Sequence, residues 1–229
     1  MATDYCLDRH AFMTMKKHLD GLKELMNMDH FSNEISTIAL HLANRRVIHT
    51  LGIGKNSFVA QQLVATLTSC NIDAEFHTPE AIAHGGLNRL EGKDAVIFFT
   101  KSGYTKELLY INNLLPSEML KVVITEEKEF VPPENRFLSK ADFVLYYPTT
   151  NECDVRGIVP MVSLMLSQVV AHMLVVSLCV CKQMTYGDFY TGHPGGAIGN
   201  VGEATVYARK DEPLFDNKSM VVGDSRIFT

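Results

Sequence analysis

A polar stretch between an apolar run and a helical pattern is the clearest candidate for chemistry. Residues 100–107 read TKSGYTKE and follow the apolar run 95–99. A strand that turns through Ser, Gly and Thr into a helix presents free backbone N–H groups and hydroxyls at the positive end of that helix. Such an end binds phosphate well. The stretch therefore predicts a binding site for a phosphorylated small molecule.

A second glycine-rich turn, GIGKNS at residues 52–57, follows the first predicted strand. It lacks the third glycine of the dinucleotide-binding fingerprint and the spacing of a P-loop, so a nicotinamide cofactor is not favoured. Two interpretations of Lys55 stay open from the turn alone. It is either the solvent-facing lysine of a tight turn or a cation that faces the ligand.

Four acidic or basic side chains are individually weak candidates for catalysis. His84 precedes two glycines and is either a ligand or base, or an ordinary loop histidine. Glu107 lies one turn into the predicted helix, where the helix dipole favours an acid in any case. Glu152 lies just past a strand end, where catalytic groups gather, although glutamates are common in loops. His193 is in a loop with little apolar content, so no core surrounds it and a functional role is favoured.

The remaining elements must place these residues at one edge of a sheet. Strands alternate with helices, and each strand is too apolar to have a solvated face, which argues for a parallel sheet covered on both sides. We therefore predict an α/β three-layer sandwich with a five-stranded, flavodoxin-like parallel sheet. Its ligand should lie at the carboxyl ends of the strands, at the switch point between the first and third strands. The predicted strands lie at residues 47–51, 74–77, 95–100, 121–125 and 143–147.

Composition limits the class of protein. The chain has 229 residues, of which 46% are hydrophobic and 21% are charged, with a formal net charge of −5. These values fit one soluble domain and give no electrostatic reason to expect nucleic acid. The five cysteines are scattered and never spaced as CxxC, so neither a disulfide framework nor a zinc ribbon is predicted. Since the N-terminus has no signal-peptide pattern, we expect a reducing, cytoplasmic location.

Residues 158–181 challenge the prediction of a soluble domain. The segment contains no Asp, Glu, Lys or Arg and is long enough to cross a bilayer. It also contains Pro160, His172, a glutamine and several serines. A helix that is apolar all round is also what a domain buries between its sheet and a partner subunit. We therefore predict a buried, intersubunit helix and no membrane contact.

Five motifs together resemble those of the sugar isomerase (SIS) domain over about residues 10–200. They are GxGK after the first strand, AHGG at 83–86, SGxTxE after the third strand, NEC at 151–153 and HPGGAIG at 193–199. Within that family the set resembles the arabinose-5-phosphate isomerases, for which HPGGAIG and the NEC position are the most specific parts. The resemblance implies a cofactor-free aldose–ketose isomerase that interconverts D-arabinose 5-phosphate and D-ribulose 5-phosphate. It further implies supply of 3-deoxy-D-manno-octulosonate synthesis for lipopolysaccharide or capsule.

The resemblance also implies site residues and an assembly. The positions linked to catalysis match Lys55, Glu107, Glu152 and His193. His84 matches a histidine that neighbours the substrate and can hold an inhibitory zinc ion. Family members are typically homotetramers whose active sites are completed by neighbouring subunits. The substrate-binding positions expected on this basis are Gly54, Ser57, His84, Ser102, Gly103 and Thr105.

Each residue has an expected role in enediol chemistry. Glu152 is the expected base, because desolvation of a shielded carboxylate disfavours its charged form and raises its basicity. His193 is expected to open the sugar ring or to carry the hydroxyl proton, near its natural pH range. Lys55 would stabilise the enediolate oxygens. Glu107 would orient Lys55 or share the proton transfer.

The sequence departs from the family at several positions. Gly86 stands where an acid usually follows His-Gly, and Tyr104 replaces a second acid of the phosphate loop. The start of the long helix lacks most of its usual Ser and Thr residues. The exact substrate contacts are therefore open. The alternatives are a non-catalytic module that senses a sugar phosphate and another SIS phosphosugar isomerase or lyase. A sensor has no need for Glu152 and His193 together and usually carries a DNA-binding segment.

Three segments are expected along the chain. Residues 1–45, with a helical pattern at 7–29, form N-terminal helices that pack on the SIS core at 46–200. Residues 201–229 form an irregular tail without the pair of CBS domains that longer family members carry. The charged segment 126–140 is predicted to be a surface loop.

Overall fold

A computed structural model describes residues 4–28, 31–126, 138–149, 151–199 and 209–215. The strands are β1 (Ile48–Gly52), β2 (Ala74–His77), β3 (Ala95–Phe99), β4 (Leu120–Glu126) and β5 (Phe143–Tyr147). They form one five-stranded sheet in the order β2-β1-β3-β4-β5, and every neighbouring pair is parallel. The predicted flavodoxin-like parallel sheet is therefore confirmed.

Helices precede the sheet, connect its strands and follow it. They are α1 (Asp4–Met26), α2 (Phe31–Ala43), α3 (Lys55–Ser69), α4 (Pro79–Ala83), α5 (Lys106–Leu114), α6 (Val162–Cys181), α7 (Tyr186–Thr191) and α8 (Gly196–Gly199). Short turns of 3₁₀ helix lie at Gly86–Arg89 and Leu138–Lys140. The turn-rich loop predicted at 193–199 thus ends in the short helix α8.

The two faces of the sheet carry separate hydrophobic cores. Along β3, Ile97 and Phe99 belong to one core and Val96 and Phe98 to the other, and all four are buried. The first core joins the sheet to α2, α3 and α6, and the second joins it to α4 and α5. A parallel strand that is covered on both sides needs apolar residues on both of its faces. The protein is thus a three-layer sandwich, as predicted.

Helix α6 lies in the first layer, in contact with α2 and α3. Its length and its mean hydropathy of 2.1 would suffice for a membrane span. However, 10 of its 20 residues are buried within the chain, so packing inside the domain explains much of its apolar character. We predicted that α6 also contacts a partner subunit, and for the residues of α6 that are not buried within the chain this stays a prediction.

The N-terminal helices meet the domain through α6. Both α1 and α2 pack on it, and α1 ends at Met26, within the helix predicted for 7–29. Three apolar residues of the predicted repeat, Phe12, Met15 and Leu19, are exposed in the single chain. An apolar helix face without a partner of its own is a common mark of an interaction surface.

Two predicted segments are only partly covered by the structure. Residues 127–137 of the predicted surface loop, and 201–208 and 216–229 of the predicted tail, lie outside the described residues. The intervening residues 209–215 pack back on the domain, where the N–H of Tyr186 donates to the carbonyl of Glu212 at 3.0 Å.

Candidate active site

The loops after β1 and β3 lie side by side at the carboxyl end of the sheet. Gly52, the last residue of β1, is paired in register with Phe99, the last residue of β3. Both loops turn through a positive φ, at Gly54 and at Gly103, which glycine adopts without a steric penalty. The two glycine-rich loops therefore meet at the predicted switch point.

The loop after β3 has the geometry of an anion site. The Thr100 hydroxyl lies 2.9 Å from that of Thr105 and accepts the N–H of Gly103 at 3.2 Å. Ser102 Oγ accepts the N–H of Tyr104 at 3.1 Å. Thr105 is the N-cap residue of α5, yet its side chain does not cap the helix. The first-turn N–H groups of this helix are thus available to a phosphate.

The turn after β1 places a cation on the facing loop. Lys55 is the first residue of α3, and its side chain is exposed. The Ser57 hydroxyl donates to the carbonyl of Gly54 at 2.7 Å and closes the turn. Because β1 and β3 are neighbours, Lys55 belongs to the same edge of the sheet as the N-terminus of α5.

His84 and Glu107 line one groove between α4 and α5. The groove has a volume of about 450 Å³, and its walls also include Glu80, Lys106 and Tyr110. His84 is the C-cap of α4, and Glu107 lies in the first turn of α5. In the part of the chain that the structure describes, no hydrogen-bond or ion-pair partner is seen for the Glu107 carboxylate. Among the described residues, no hydrogen bond therefore holds this carboxylate in place.

Glu152 follows β5 in a loop, yet only 1% of its surface is exposed. Lys101 Nζ lies 2.6 Å from Glu152 Oε1, which also accepts the Ser163 hydroxyl. Glu152 Oε2 accepts the N–H groups of Met161 and Val162, both at 2.8 Å. The carboxylate therefore satisfies backbone donors at the start of α6 and joins that helix to the loop after β3.

These donors decide the charge state of Glu152. Burial by itself raises the pKa of a carboxyl, but the bonds from Lys101, from Ser163 and from the two backbone N–H groups outweigh it, so the pKa of Glu152 is lowered. The hypothesis that shielding makes Glu152 a stronger base is therefore wrong, because it considered burial without hydrogen bonding. Membership of Glu152 in the site stays a prediction.

His193 does not meet Lys55 within one chain. Its half-buried imidazole stacks on the Phe189 ring with centroids 4.1 Å apart. Phe189 belongs to neither hydrophobic core of the described residues, so the functional role of His193 stays a prediction. The adjacent Gly192 approaches the carbonyl of Ser69, the last residue of α3. Lys55 begins the same helix of 15 residues, which at 1.5 Å per residue is about 22 Å long. His193 and Lys55 are therefore at opposite ends of α3.

Lys101 is the residue that sequence reasoning missed. A lysine between Thr100 and Ser102 is usually a solvated loop residue. In the structure its Nζ bonds Glu152 and lies 4.0 Å from Glu126 Oε1 at the end of β4. The signal that could have found this contact is the predicted strand order, since the carboxyl ends of β3, β4 and β5 lie at one edge of the sheet.

Known proteins share the sequence pattern of this chain. The family model of the SIS domain matches residues 41–178, more than half of the chain. An uncharacterised protein of Chlamydia muridarum is 28% identical over 205 residues, which cover 87% of this chain and 58% of that protein. The arabinose 5-phosphate isomerase KdsD of Shigella flexneri is 26% identical over 178 residues, which cover 76% of this chain and 53% of the relative. The chain thus spans little more than half the length of these relatives.

Solved structures share the fold. The E. coli CFT073 protein c3406, in complex with arabinose 5-phosphate, superimposes with a TM-score of 0.70 and 23% identity, covering 84% of this chain and 100% of that one. The Vibrio vulnificus NanR protein, complexed with ManNAc-6P, gives a TM-score of 0.62 and 18% identity, covering 90% of this chain and 70% of that one. With the family match and the two loops at the switch point, the chain belongs to the SIS domain family.

Proposed function

We propose that this chain is an aldose–ketose isomerase that interconverts D-arabinose 5-phosphate and D-ribulose 5-phosphate through an enediol. The observation that carries the proposal is the position of Glu107 and His84 in one groove beside the uncapped N-terminus of α5. A phosphate bound at that helix end would leave the sugar carbons in the groove. Similarity to relatives named arabinose 5-phosphate isomerase supports the choice of sugar.

Glu107 is the proposed base in place of Glu152. A base must take up a proton from the substrate. The four donors around Glu152 stabilise its charged form and lower its pKa, so its carboxylate is a weaker proton acceptor. The Glu107 carboxylate has no such competing donors among the described residues. Lys55 would stabilise the negative charge that develops on the enediolate oxygens. Glu152 would act as a positioning residue that holds Lys101 and the start of α6.

The remaining predicted residues would bind the substrate. Ser102, Gly103 and Thr105 would hold the phosphate together with the first turn of α5. Gly54 and Ser57 would shape the turn that carries Lys55, and their own hydrogen bond supports this role. His84 would contact the sugar from the other wall of the groove.

A second copy of the chain is proposed to supply His193. The separation of His193 and Lys55 along α3 leaves the site of one chain without this histidine. The exposed apolar residues of α1 offer a surface that association would bury. We therefore infer a homo-oligomer, and the family resemblance favours a homotetramer in which His193 of one copy completes the site of another.

The proposed reaction needs no redox cofactor, because it moves one proton between the neighbouring carbons C1 and C2 and another between their oxygens, with no net oxidation of the sugar. Its product would feed the synthesis of 3-deoxy-D-manno-octulosonate for lipopolysaccharide or capsule in the cytoplasm. The substrate is a small phosphorylated sugar, and neither nucleic acid nor a membrane is an expected partner.

A second candidate function is a non-catalytic sensor of a sugar phosphate. The ion pair of Glu152 with Lys101 favours the sensor, because a carboxylate engaged in this pair is less able to accept a proton from a substrate. The likeness of the fold to NanR, complexed with ManNAc-6P, is consistent with it.

The two functions differ in turnover. The protein should be incubated with D-ribulose 5-phosphate while D-arabinose 5-phosphate is followed by NMR, and binding of both sugars should be measured by calorimetry. Conversion supports the isomerase. Binding without conversion supports the sensor, and the absence of both binding and conversion contradicts either proposal.

A further inference from the structure

Two histidines and a glutamate from neighbouring strands meet at the β2 edge of the sheet. His49 lies on β1, Glu75 and His77 lie on β2, and one nitrogen or oxygen of each lies within 4.8 Å of the others. His49 Nδ1 is 2.9 Å from His77 Nε2, which is 3.5 Å from Glu75 Oε2. Both histidines are buried, whereas 41% of the Glu75 side chain is exposed. The proposed isomerase reaction uses none of these groups.

A fourth residue fixes the orientation of the first histidine. His49 Nε2 lies 3.2 Å from Asp94 Oδ2. Asp94 also accepts two bonds from Arg46, at 2.9 and 2.8 Å, and the N–H of Glu91 at 2.8 Å. An ionised carboxylate can only accept hydrogen bonds, so His49 Nε2 carries the proton and Nδ1 keeps a lone pair towards His77. A carboxylate that orients the far nitrogen of a histidine in this way is typical of metal sites.

We propose that His49, Glu75 and His77 bind a divalent transition-metal ion of the zinc type. Two imidazole nitrogens and a carboxylate oxygen are common ligands of such an ion. At ligand distances near 2.1 Å, two ligand atoms of a tetrahedral ion lie roughly 3.4 Å apart. The distance from His49 Nδ1 to His77 Nε2, 2.9 Å, is shorter than that value, and the distance from His77 Nε2 to Glu75 Oε2, 3.5 Å, is slightly longer. Because 41% of the Glu75 side chain is exposed, an ion could reach the cluster from the Glu75 side.

The charges around the cluster also favour a cation. The ion pairs around the cluster contain three carboxylates, those of Glu75, Glu91 and Asp94. They contain two guanidinium groups, those of Arg46 and Arg89, so the negative charges outnumber the positive ones. Without a metal, the same two rings would share a single hydrogen bond from His77 Nε2 to His49 Nδ1, and this is the alternative that the experiment must exclude.

The site would stabilise the edge of the sheet next to the groove. It would link β2, an outermost strand, to β1 by bonds additional to the backbone ladder. Thr78 follows His77 directly and caps α4 by accepting the N–H of Ala81 at 3.1 Å, and His84 is the C-cap of the same helix. The metal would therefore hold the segment that leads into one wall of the groove. It is distinct from the inhibitory zinc that the family resemblance assigns to His84.

The test is metal binding by the full chain after exhaustive dialysis against a chelator. The starting variant is His84→Ala, which removes the other expected zinc ligand. Zn²⁺ binding is measured by calorimetry, and Co²⁺ replaces it for visible spectroscopy, where cysteine ligation would give a strong thiolate charge-transfer band. We expect one equivalent of tight Zn²⁺, a tetrahedral Co²⁺ spectrum without that band, and a higher Tm with metal bound.

Two further substitutions locate the ion. His77→Gln added to His84→Ala should weaken Zn²⁺ binding by more than about tenfold and abolish the metal-dependent rise in Tm. Glu75→Gln, at a half-exposed position, gives a second variant that is expected to fold and should also weaken binding. Equal Zn²⁺ affinity with and without His77 would overturn the proposal, as would a thiolate band or no binding at all in His84→Ala.

Discussion

Lys101 Nζ lies 2.6 Å from Glu152 Oε1, and this ion pair connects the loop after β3 to the start of α6. The carboxylate is buried and accepts three further hydrogen bonds, from Ser163, Met161 and Val162. The loop after β3 is therefore bonded to a charged residue that lies 51 positions away in the sequence. This pairing is the reason why the proposed mechanism gives Glu152 a positioning role.

Removing the cation of this pair should destabilise the fold. Lys101→Ala leaves a buried carboxylate without its counter-ion, which should lower the free energy of unfolding by about 3 kcal/mol. Urea denaturation monitored by circular dichroism measures the change. Lys106→Ala is the matched control, because that lysine is exposed at the start of α5, and it should change stability by less than about 0.5 kcal/mol. Equal effects of both substitutions would contradict a structural role of the ion pair.

The base assignment predicts a loss of turnover without a loss of stability. Glu107→Gln keeps the shape of the side chain and removes its proton acceptor, so kcat should fall by about 10²- to 10⁴-fold. Glu80→Gln is the control, since Glu80 lines the same groove, and its kcat should stay within a few-fold of wild type. Steady-state kinetics with D-ribulose 5-phosphate measures both. Normal turnover in Glu107→Gln would remove this residue from the mechanism.

The stabilisation by Glu152 should depend on pH. Its pKa is lowered in the folded protein, so its contribution is complete above the ordinary glutamate pKa of about 4.3 and is lost as the pH falls through the lower folded value. The difference in unfolding free energy between wild type and Glu152→Gln should therefore be largest near neutral pH and shrink on acidification below about pH 4. A difference that grows on acidification would indicate a raised pKa and restore Glu152 as a candidate base.

Much of the fold was predictable because it follows from local patterns. Apolar runs such as 95–99 and the glycine-rich turns after β1 and β3 indicate a parallel sheet with a ligand edge, and the strand order confirms it. The Lys101–Glu152 and His49–His77 contacts were not predictable in this way. Each joins residues far apart in sequence, and whether such side chains meet depends on rotamers that neither a local pattern nor the predicted strand order determines.

The predicted sharing of sites between copies can be tested by mixing inactive variants. Lys55→Ala and His193→Ala should each be nearly inactive alone. If His193 of one copy completes the site around Lys55 of another, unfolding and refolding an equal mixture should restore about a quarter of wild-type activity. Refolding each variant alone is the control. Failure of the mixture to regain activity, while both variants form the native oligomer, would contradict a shared site.

Proton transfer through an enediol is the central step of the proposed reaction, and deuterium incorporation tests it most directly. The protein is incubated with D-ribulose 5-phosphate in heavy water, and the products are examined by proton and carbon NMR. We expect D-arabinose 5-phosphate that carries deuterium at C2, because the enediol takes up its new proton from an exchangeable group. The Glu107→Gln variant should show little conversion. Unchanged ribulose 5-phosphate without deuterium at C1, from protein that binds the sugar, would contradict the isomerase and favour the sensor.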